Sequence, residues 1–198
     1  MSALPKEELS FRKACPADAS DLARFVHLAS HGLAYYFWQT VASEGADPFA
    51  IGCQRTGGET GSSSYRNAHV AELDGLVVAG MICYEIGGEP EEIDETIPSV
   101  FVPLIELENQ ALNSYYINVL ATDDAYQGLG IGSEFLDLAR ELADGKPLSL
   151  ICSDANPNAQ RLYERAGFEV RASRPMIKGE WSGDGEDWLL MIKSSKLN

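Results

Sequence analysis

The stretch "NPNAQRLYERAGF", residues 156–168, decides how this chain folds. Asn156 suits a helix N-cap, because its short side chain can accept from an unpaired amide of the first turn. Pro157 suits the first helical position, where no intrahelical N–H bond is lost. Ala159, Leu162, Tyr163 and Ala166 then recur on one helical face, and the spacing predicts a helix. Just upstream, "LSLIC" (148–152) is short and wholly apolar, the pattern of a strand buried on both faces.

Further upstream stands "AYQGLGIGSEF" (125–135). It follows a clear strand pattern, "SYYINVLAT" (114–122), and opens a helix in which Phe135, Leu138, Ala139 and Leu142 share one face. Gly145 and Pro147 end that helix. Strand, helix and strand in this order predict a parallel crossover.

The N-terminal half predicts a strand in "LSFRKAC" (9–15) and a helix with Leu22, Phe25, Val26 and Ala29 on one face, closed by Gly32. A second, aromatic-rich helix is expected over 33–45, and residues 52–66, rich in Gly and Ser, predict a loop. Asp74-Gly75 between "AHVAEL" and "LVVAGMICYEI" signals a hairpin. "GGEPEEIDET" reads as an acidic loop. Residues 97–113 are ambiguous: Pro98 and Pro103 interrupt them, and "LIELENQAL" suits a short helix. "FEVRASRPM" and "DWLLMIKS" predict two closing strands. The expected architecture is α/β (α+β) in one domain, residues 1–198. It has a single mixed, mostly antiparallel sheet of six to seven strands, a central parallel pair, and helices on both faces.

The glycine turn at Gly128, Gly130 and Gly132 suggests phosphate binding, and the competing motifs differ in spacing. A dinucleotide fingerprint needs GxGxxG, but Ser133 occupies the third glycine position and the acidic residue is missing at the expected distance. A Walker A loop needs a Gly-Lys-Ser/Thr ending, and no lysine is near. What remains is Q-x-x-G-x-G from Gln127, Gly130 and Gly132. Its glycines permit close backbone approach to a pyrophosphate, and the next helix offers its N-terminal amides. Taken alone, the motif also fits a tight turn that holds no ligand.

The two motifs together resemble the GNAT superfamily of acyl-CoA N-acyltransferases. Gln127, Gly130 and Gly132 match its [QR]-x-x-G-x-[GA]. Asn156, Ala159, Leu162, Tyr163, Gly167 and Phe168 match N-x-x-A-x-x-L-Y-x-x-x-G-F. The resemblance covers about residues 112–175 and implies a splayed parallel strand pair with acyl-CoA in the gap. It implies that Leu120, Ala121 and Thr122 bond the pantetheine arm. Gly128, Leu129, Gly130, Ile131, Gly132 and Ser133 would hold the pyrophosphate, with Gln127 beside it and Asn156 in contact. Tyr163 would protonate the leaving thiolate, a role suited to a phenol that stays neutral at pH 7. A backbone N–H near Leu120 would stabilise the oxyanion formed on attack.

The base is open. Peptide N-terminal members of the family often carry a glutamate five residues before the motif Asn, where this chain has Ile151. Glu108 is the first candidate side chain, ahead of Glu106, Asp123 and Asp124, and a water chain to solvent is an equal alternative. Tyr35, Tyr36 and Trp38 fall where the family lines its acceptor site, and would form an aromatic wall for an amine. They equally suit core packing. His27 and His31 are four apart on a helix, but no third ligand or HExxH pattern accompanies them, so no metal is expected.

The formal net charge is −15. Such a surface repels nucleic acid and anionic membranes and favours, if anything, a cationic substrate. Cys15, Cys53, Cys83 and Cys152 form no CxxC pair, which reads as reduced thiols. No apolar run reaches a membrane span, and "MSALPKEELSF" lacks signal-peptide features, which points to the cytoplasm. The leading expectation is an N-acetyltransferase that uses acetyl-CoA and a small-molecule primary amine. A protein or peptide amine acetyltransferase and a non-catalytic acyl-CoA sensor are the alternatives. Many members of the family dimerise through late strands, so a homodimer is implied.

Overall fold

The computed structural model describes residues 9–195. Seven strands form one mixed sheet in the order β1-β2-β3-β4-β5-β7-β6. They are β1 (Leu9–Lys13), β2 (Ala68–Leu73), β3 (Leu76–Glu85), β4 (Tyr115–Thr122), β5 (Leu148–Ser153), β6 (Glu169–Pro175) and β7 (Asp187–Lys193). Among the described residues, six α-helices accompany them: α1 (Ala19–Ala29), α2 (Leu33–Val41), α3 (Pro48–Thr56), α4 (Val102–Glu108), α5 (Ile131–Leu142) and α6 (Pro157–Arg165). The chain divides into two compact units. Among the described residues, one unit holds those up to Ser30 with Ala34–Ile82 and Val119–Ile131; the other holds His31–Leu33, Cys83–Asn118 and those from Gly132 onward.

In the first unit, α1 buries Leu22, Ala23, Phe25 and Val26 against Ala68, Val70, Ile82 and Val119. Gly80 allows this approach, because a Cβ there would lie 2.5 Å from Phe25 Cδ2. The β2–β3 hairpin turns at Asp74 (φ 51°) and Gly75 (φ 80°), both left-handed. That is the geometry of a two-residue type I′ turn, which Asp-Gly favours.

The expected loop over 52–66 needs correction: its first part is helix. Asp47 caps α3 by accepting from Phe49 N at 2.9 Å, with Pro48 in the first turn. Thr56 at the other end is fully buried and donates to Ala19 O at 2.6 Å. Gly52 weakens the local helix signal, but it is the residue that lets the Trp38 ring pack close, 2.5 Å from where a Cβ would lie. Tertiary contacts thus override local propensity.

In the second unit, β5 is buried along nearly its whole length. It pairs antiparallel with β7 from Leu148↔Lys193 to Ser153↔Trp188, and parallel with β4 over Tyr115↔Leu148 to Ile117↔Leu150. The parallel ladder stops there, although β4 runs on to Thr122 and β5 to Ser153. At its base, the buried hydroxyls of Ser114 and Ser149 share a hydrogen bond of 2.6 Å. Pro103 does not break α4. It sits in the first turn, where a missing N–H costs no helical bond. The face expected for α5 shifts: Leu142 is 38% exposed, whereas Ile131, Phe135, Leu136 and Ala139 are buried.

Candidate active site

The glycine turn begins where β4 ends. Asp123 N donates to Val78 O at 3.0 Å, and a short 3-10 turn spans Asp124–Tyr126. Gln127 Nε2 donates to Asp124 Oδ1 at 2.8 Å and reaches Thr122 O at 3.5 Å. Gly128 (φ 80°) and Gly130 (φ 85°) are left-handed, a conformation that side chains resist. Gly128, Leu129 and Gly130 are exposed, and a Cβ on either glycine would meet nothing within 4 Å. Both glycines therefore serve backbone conformation rather than internal packing, and the space over them is open. The chain runs directly into α5, whose first amides have no intrahelical partner. That combination fits a pyrophosphate. Gly132 has a further reason to be glycine: a Cβ there would lie 3.0 Å from Leu162 Cδ2. Leu120, Ala121 and Thr122 are half-buried.

Asn156 Oδ1 accepts from Ala159 N at 3.0 Å and caps α6. Tyr163, on the inner face of that helix, is 8% exposed, with its ring 5.9 Å from Phe168. Burial pushes its phenol above the ordinary tyrosine range, and the neighbouring Cys152 adds to the shift. The phenol therefore keeps its proton at neutral pH. The Cys152 thiol is itself pushed up to about 12, first by burial and then by Asp154 and Glu164. It carries almost no thiolate, the form a nucleophile needs.

Glu108 closes α4. Burial pushes its carboxyl up to about 7; a hydrogen bond from the Tyr116 phenol opposes this, and the Glu91 charge reinforces it. Tyr116, buried on β4, makes an edge contact with Tyr84 at 5.7 Å and is pushed well above the tyrosine range by its own burial. The other candidate bases are engaged elsewhere. Glu106 accepts from Arg174 Nε at 2.5 Å, Asp123 pairs with Arg24, and Asp124 holds Gln127. Ile151, where some relatives have glutamate, sits on β5 opposite Leu190.

Trp38 lies in the core, edge-on to Tyr35 and Phe49, so packing accounts for its indole. Tyr35 and Tyr36 remain half-buried. His31 adopts φ 50° and its carbonyl accepts from Trp181 Nε1 at 3.2 Å. Among the described residues, no three His, Cys, Asp or Glu side chains form a group that could hold a metal. No described helix is long and apolar enough to cross a membrane. Sequence reasoning missed Tyr116, though a phenol on a buried strand needs a polar partner and so hints at one.

The family model for the acetyltransferase (GNAT) family matches residues 33–168, well over half of the chain. The chain belongs to the GNAT acetyltransferase family. Several solved structures share the fold. An N-acetyltransferase from Staphylococcus aureus Mu50 is 20% identical, with a TM-score of 0.63, covering 92% of this chain and 99% of that one. A mosquito arylalkylamine N-acetyltransferase like 5b is 15% identical at TM-score 0.63, covering 94% and 99%. Arabidopsis thaliana Naa50, in complex with the bisubstrate analogue CoA-Ac-MVNAL, is 16% identical at TM-score 0.54, covering 94% and 98%. No match was found among curated proteins. This GNAT member thus carries the family's fold, with Glu108 and Tyr163 both withdrawn from water.

Proposed function

We propose that this GNAT member is an N-acetyltransferase that transfers acetyl from acetyl-CoA to a primary amine of a small molecule by direct attack. The observation that carries the reading is the match of residues 33–168 to the acetyltransferase (GNAT) family; Glu108, a carboxyl pushed to about 7 by burial and hydrogen-bonded to Tyr116, supplies a candidate base. A base is most useful when its pKa lies near the working pH. At neutral pH it can take the proton that an alkylammonium must lose before it attacks.

Acetyl-CoA, when bound, supplies an acyl group activated as a thioester. Leu120, Ala121 and Thr122 would bond its pantetheine arm through backbone groups. Gly128, Leu129, Gly130, Ile131, Gly132 and Ser133 would hold its pyrophosphate, beside Gln127. Asn156 would contact it while capping α6. This donor-binding core runs over about residues 112–175. Tyr163 would give its proton to the departing thiolate. The Cys152 thiol on β5 is pushed up to about 12, first by burial. The same rise argues against an acyl-cysteine intermediate. Tyr35 and Tyr36 would face the amine, and the net charge of −15 favours a cationic one.

An acceptor screen tests this reading. Purified protein and acetyl-CoA are incubated with small amines and peptide N-termini, with free thiol measured and products identified by mass spectrometry. Acetylation of small cationic amines is expected. Acetyl-CoA binding with no thiol release for any amine would make the protein a donor sensor; exclusive peptide acetylation would overturn the small-molecule assignment. Tyr163→Phe should lower turnover by on the order of 10² to 10⁴ while donor binding persists.

A further inference from the structure

The glycine turn hangs on a short lead-in, and the lead-in is anchored within the first unit. Asp123, the first residue after β4, opens the 3-10 turn over Asp124–Tyr126, and its carbonyl accepts from Tyr126 N at 2.9 Å. An aspartate at the start of a helical turn ordinarily bonds the amides that follow it. The Asp123 side chain makes no such cap bond; its carboxylate pairs instead with Arg24 of α1. The Asp123 N–H goes to Val78 O at 3.0 Å. Val78 is the extra residue of a bulge, because β2 pairs Ala71 with Ala79 and Glu72 with Val77. Arg24 uses the same bulge. Its Nη2 donates to Val77 O at 3.3 Å and to Asp21 Oδ1 at 2.8 Å. The guanidinium carbon lies 4.4 Å from the ring centre of Phe25, which is fully buried. One side chain thus joins α1, the bulge of β3 and the root of the glycine turn.

We infer that Arg24 is a positioning residue for donor binding: it fixes the root of the glycine turn through Asp123 and neutralises that carboxylate where an anionic pyrophosphate has to approach. This inference rests on the reading that Gly128 and Gly130 cradle a pyrophosphate. Asp21 and Asp123 share Arg24 as their cation, and Asp124 follows directly, bonded to the Gln127 amide at 2.8 Å. A pyrophosphate adds further negative charge to this region. The Arg24 side chain is 34% exposed, so water screens part of its attraction. Its fork of N–H donors still reaches two carboxylates and a backbone carbonyl at once, which a point charge cannot do. Without it, Asp21 and Asp123 lose their common cation and the lead-in loses its side-chain anchor. Arg24 acts through Asp123, so the effect falls on donor binding and not on the chemical step.

Calorimetric titration of the full-length protein with acetyl-CoA tests this. The Kd of Arg24→Gln should rise about five- to tenfold, and Arg24→Lys should fall between it and the parent. High salt should narrow the gap between parent and Arg24→Gln. Asp123→Asn in the Arg24→Gln background should recover part of the affinity, because the stranded charge disappears. With an accepted amine, donor KM should rise in step with Kd while kcat stays within about twofold. Amide hydrogen exchange in Arg24→Gln should quicken at Asp123 and Tyr126 and stay at the parent rate in α6, the mark of local loosening. An unchanged Kd would overturn the inference. So would a fall in kcat at constant donor KM, an absence of recovery in the double variant, or exchange that quickens equally in α6. If the parent binds no acetyl-CoA, or Gly130→Asp binds it as tightly as the parent, the pyrophosphate reading itself fails and the inference falls with it.

Discussion

Asp18 in the first unit and Glu108 in the second are both carboxylates drawn out of water, and they are pushed in opposite directions. Asp18 is 5% exposed. It accepts from both terminal nitrogens of Arg12 at 2.8 Å and from Cys15 N at 2.8 Å. Those bonds, led by Arg12, hold it below the usual aspartate range despite its burial. Arg12 also donates to Glu72 at 2.8 Å, so one guanidinium joins β1, β2 and the turn before α1. Glu108 has a phenol and a second carboxylate for neighbours, and burial takes it to about 7. Burial opposes charge at both sites, and only a fork of charged N–H donors reverses the result. The first arrangement holds a fold together; the second leaves a group ready to change its protonation near neutral pH.

Replacing Glu108, the proposed proton acceptor, should have the largest effect. Glu108→Gln keeps the size and the hydrogen bond to Tyr116 but cannot take a proton. Its kcat/KM should fall by about 10² to 10⁴, roughly 3–5 kcal/mol. Steady-state kinetics with an accepted amine measures this, and a fall of less than threefold would place Glu108 with Asp18 as a structural carboxylate.

The same variant should separate the two sites through stability. Glu108 has a folded value of about 7 against an ordinary value of 4.5. Its contribution is fully present below pH 4.5 and is lost as pH rises through 7. Relative to Glu108→Gln, the parent should thus lose on the order of 3 kcal/mol across that window. Asp18 behaves in the opposite sense. Its contribution is present above the ordinary aspartate value and fades as pH falls through its lower folded value. Urea midpoints from about pH 2 to pH 8 test both signs; a Glu108→Gln curve parallel to the parent's would show that folding does not perturb Glu108.

Arg12→Met should come next, at about 2–3 kcal/mol of destabilisation. Stranding a buried carboxylate costs about 3–5 kcal/mol. The lower figure applies because Arg12 is 36% exposed and part of its interaction is already screened by water. Asp18→Asn in the same background should recover part of the loss, because the stranded charge disappears. No recovery would mean that Arg12 acts through packing.

How much of this was legible depended on range. The turn at Asp74-Gly75, the cap at Asn156 and the glycine turn over 128–132 are specified by residues within a few positions of one another. Each was readable from the sequence. Helix α3 was not, because its evidence lies in Ala19, which binds Thr56, and in Trp38, which packs on Gly52. The site divides in the same way. Glu108 was a candidate from its place before the strand, but its altered proton affinity comes first from burial, which the local sequence does not show. The pairing of Arg24 with Asp123 joins residues 99 positions apart, and no local pattern encodes it.

Arg140 and Asp137 sharpen the comparison from its weak end. They sit three residues apart on α5 at 3.2 Å, with side chains 59% and 60% exposed. The charges are those of Arg12 and Asp18, without the burial, the bidentate fork or the backbone donor. Water solvates both groups in the unfolded and folded chain alike, and salt screens what attraction remains. Asp137→Asn should therefore change stability by less than about 0.5 kcal/mol, and less still at high salt. A loss approaching that of Arg12→Met would mean that charge pairing alone stabilises this protein. A negligible one would assign the strength of the Asp18 site to its burial and its three converging donors.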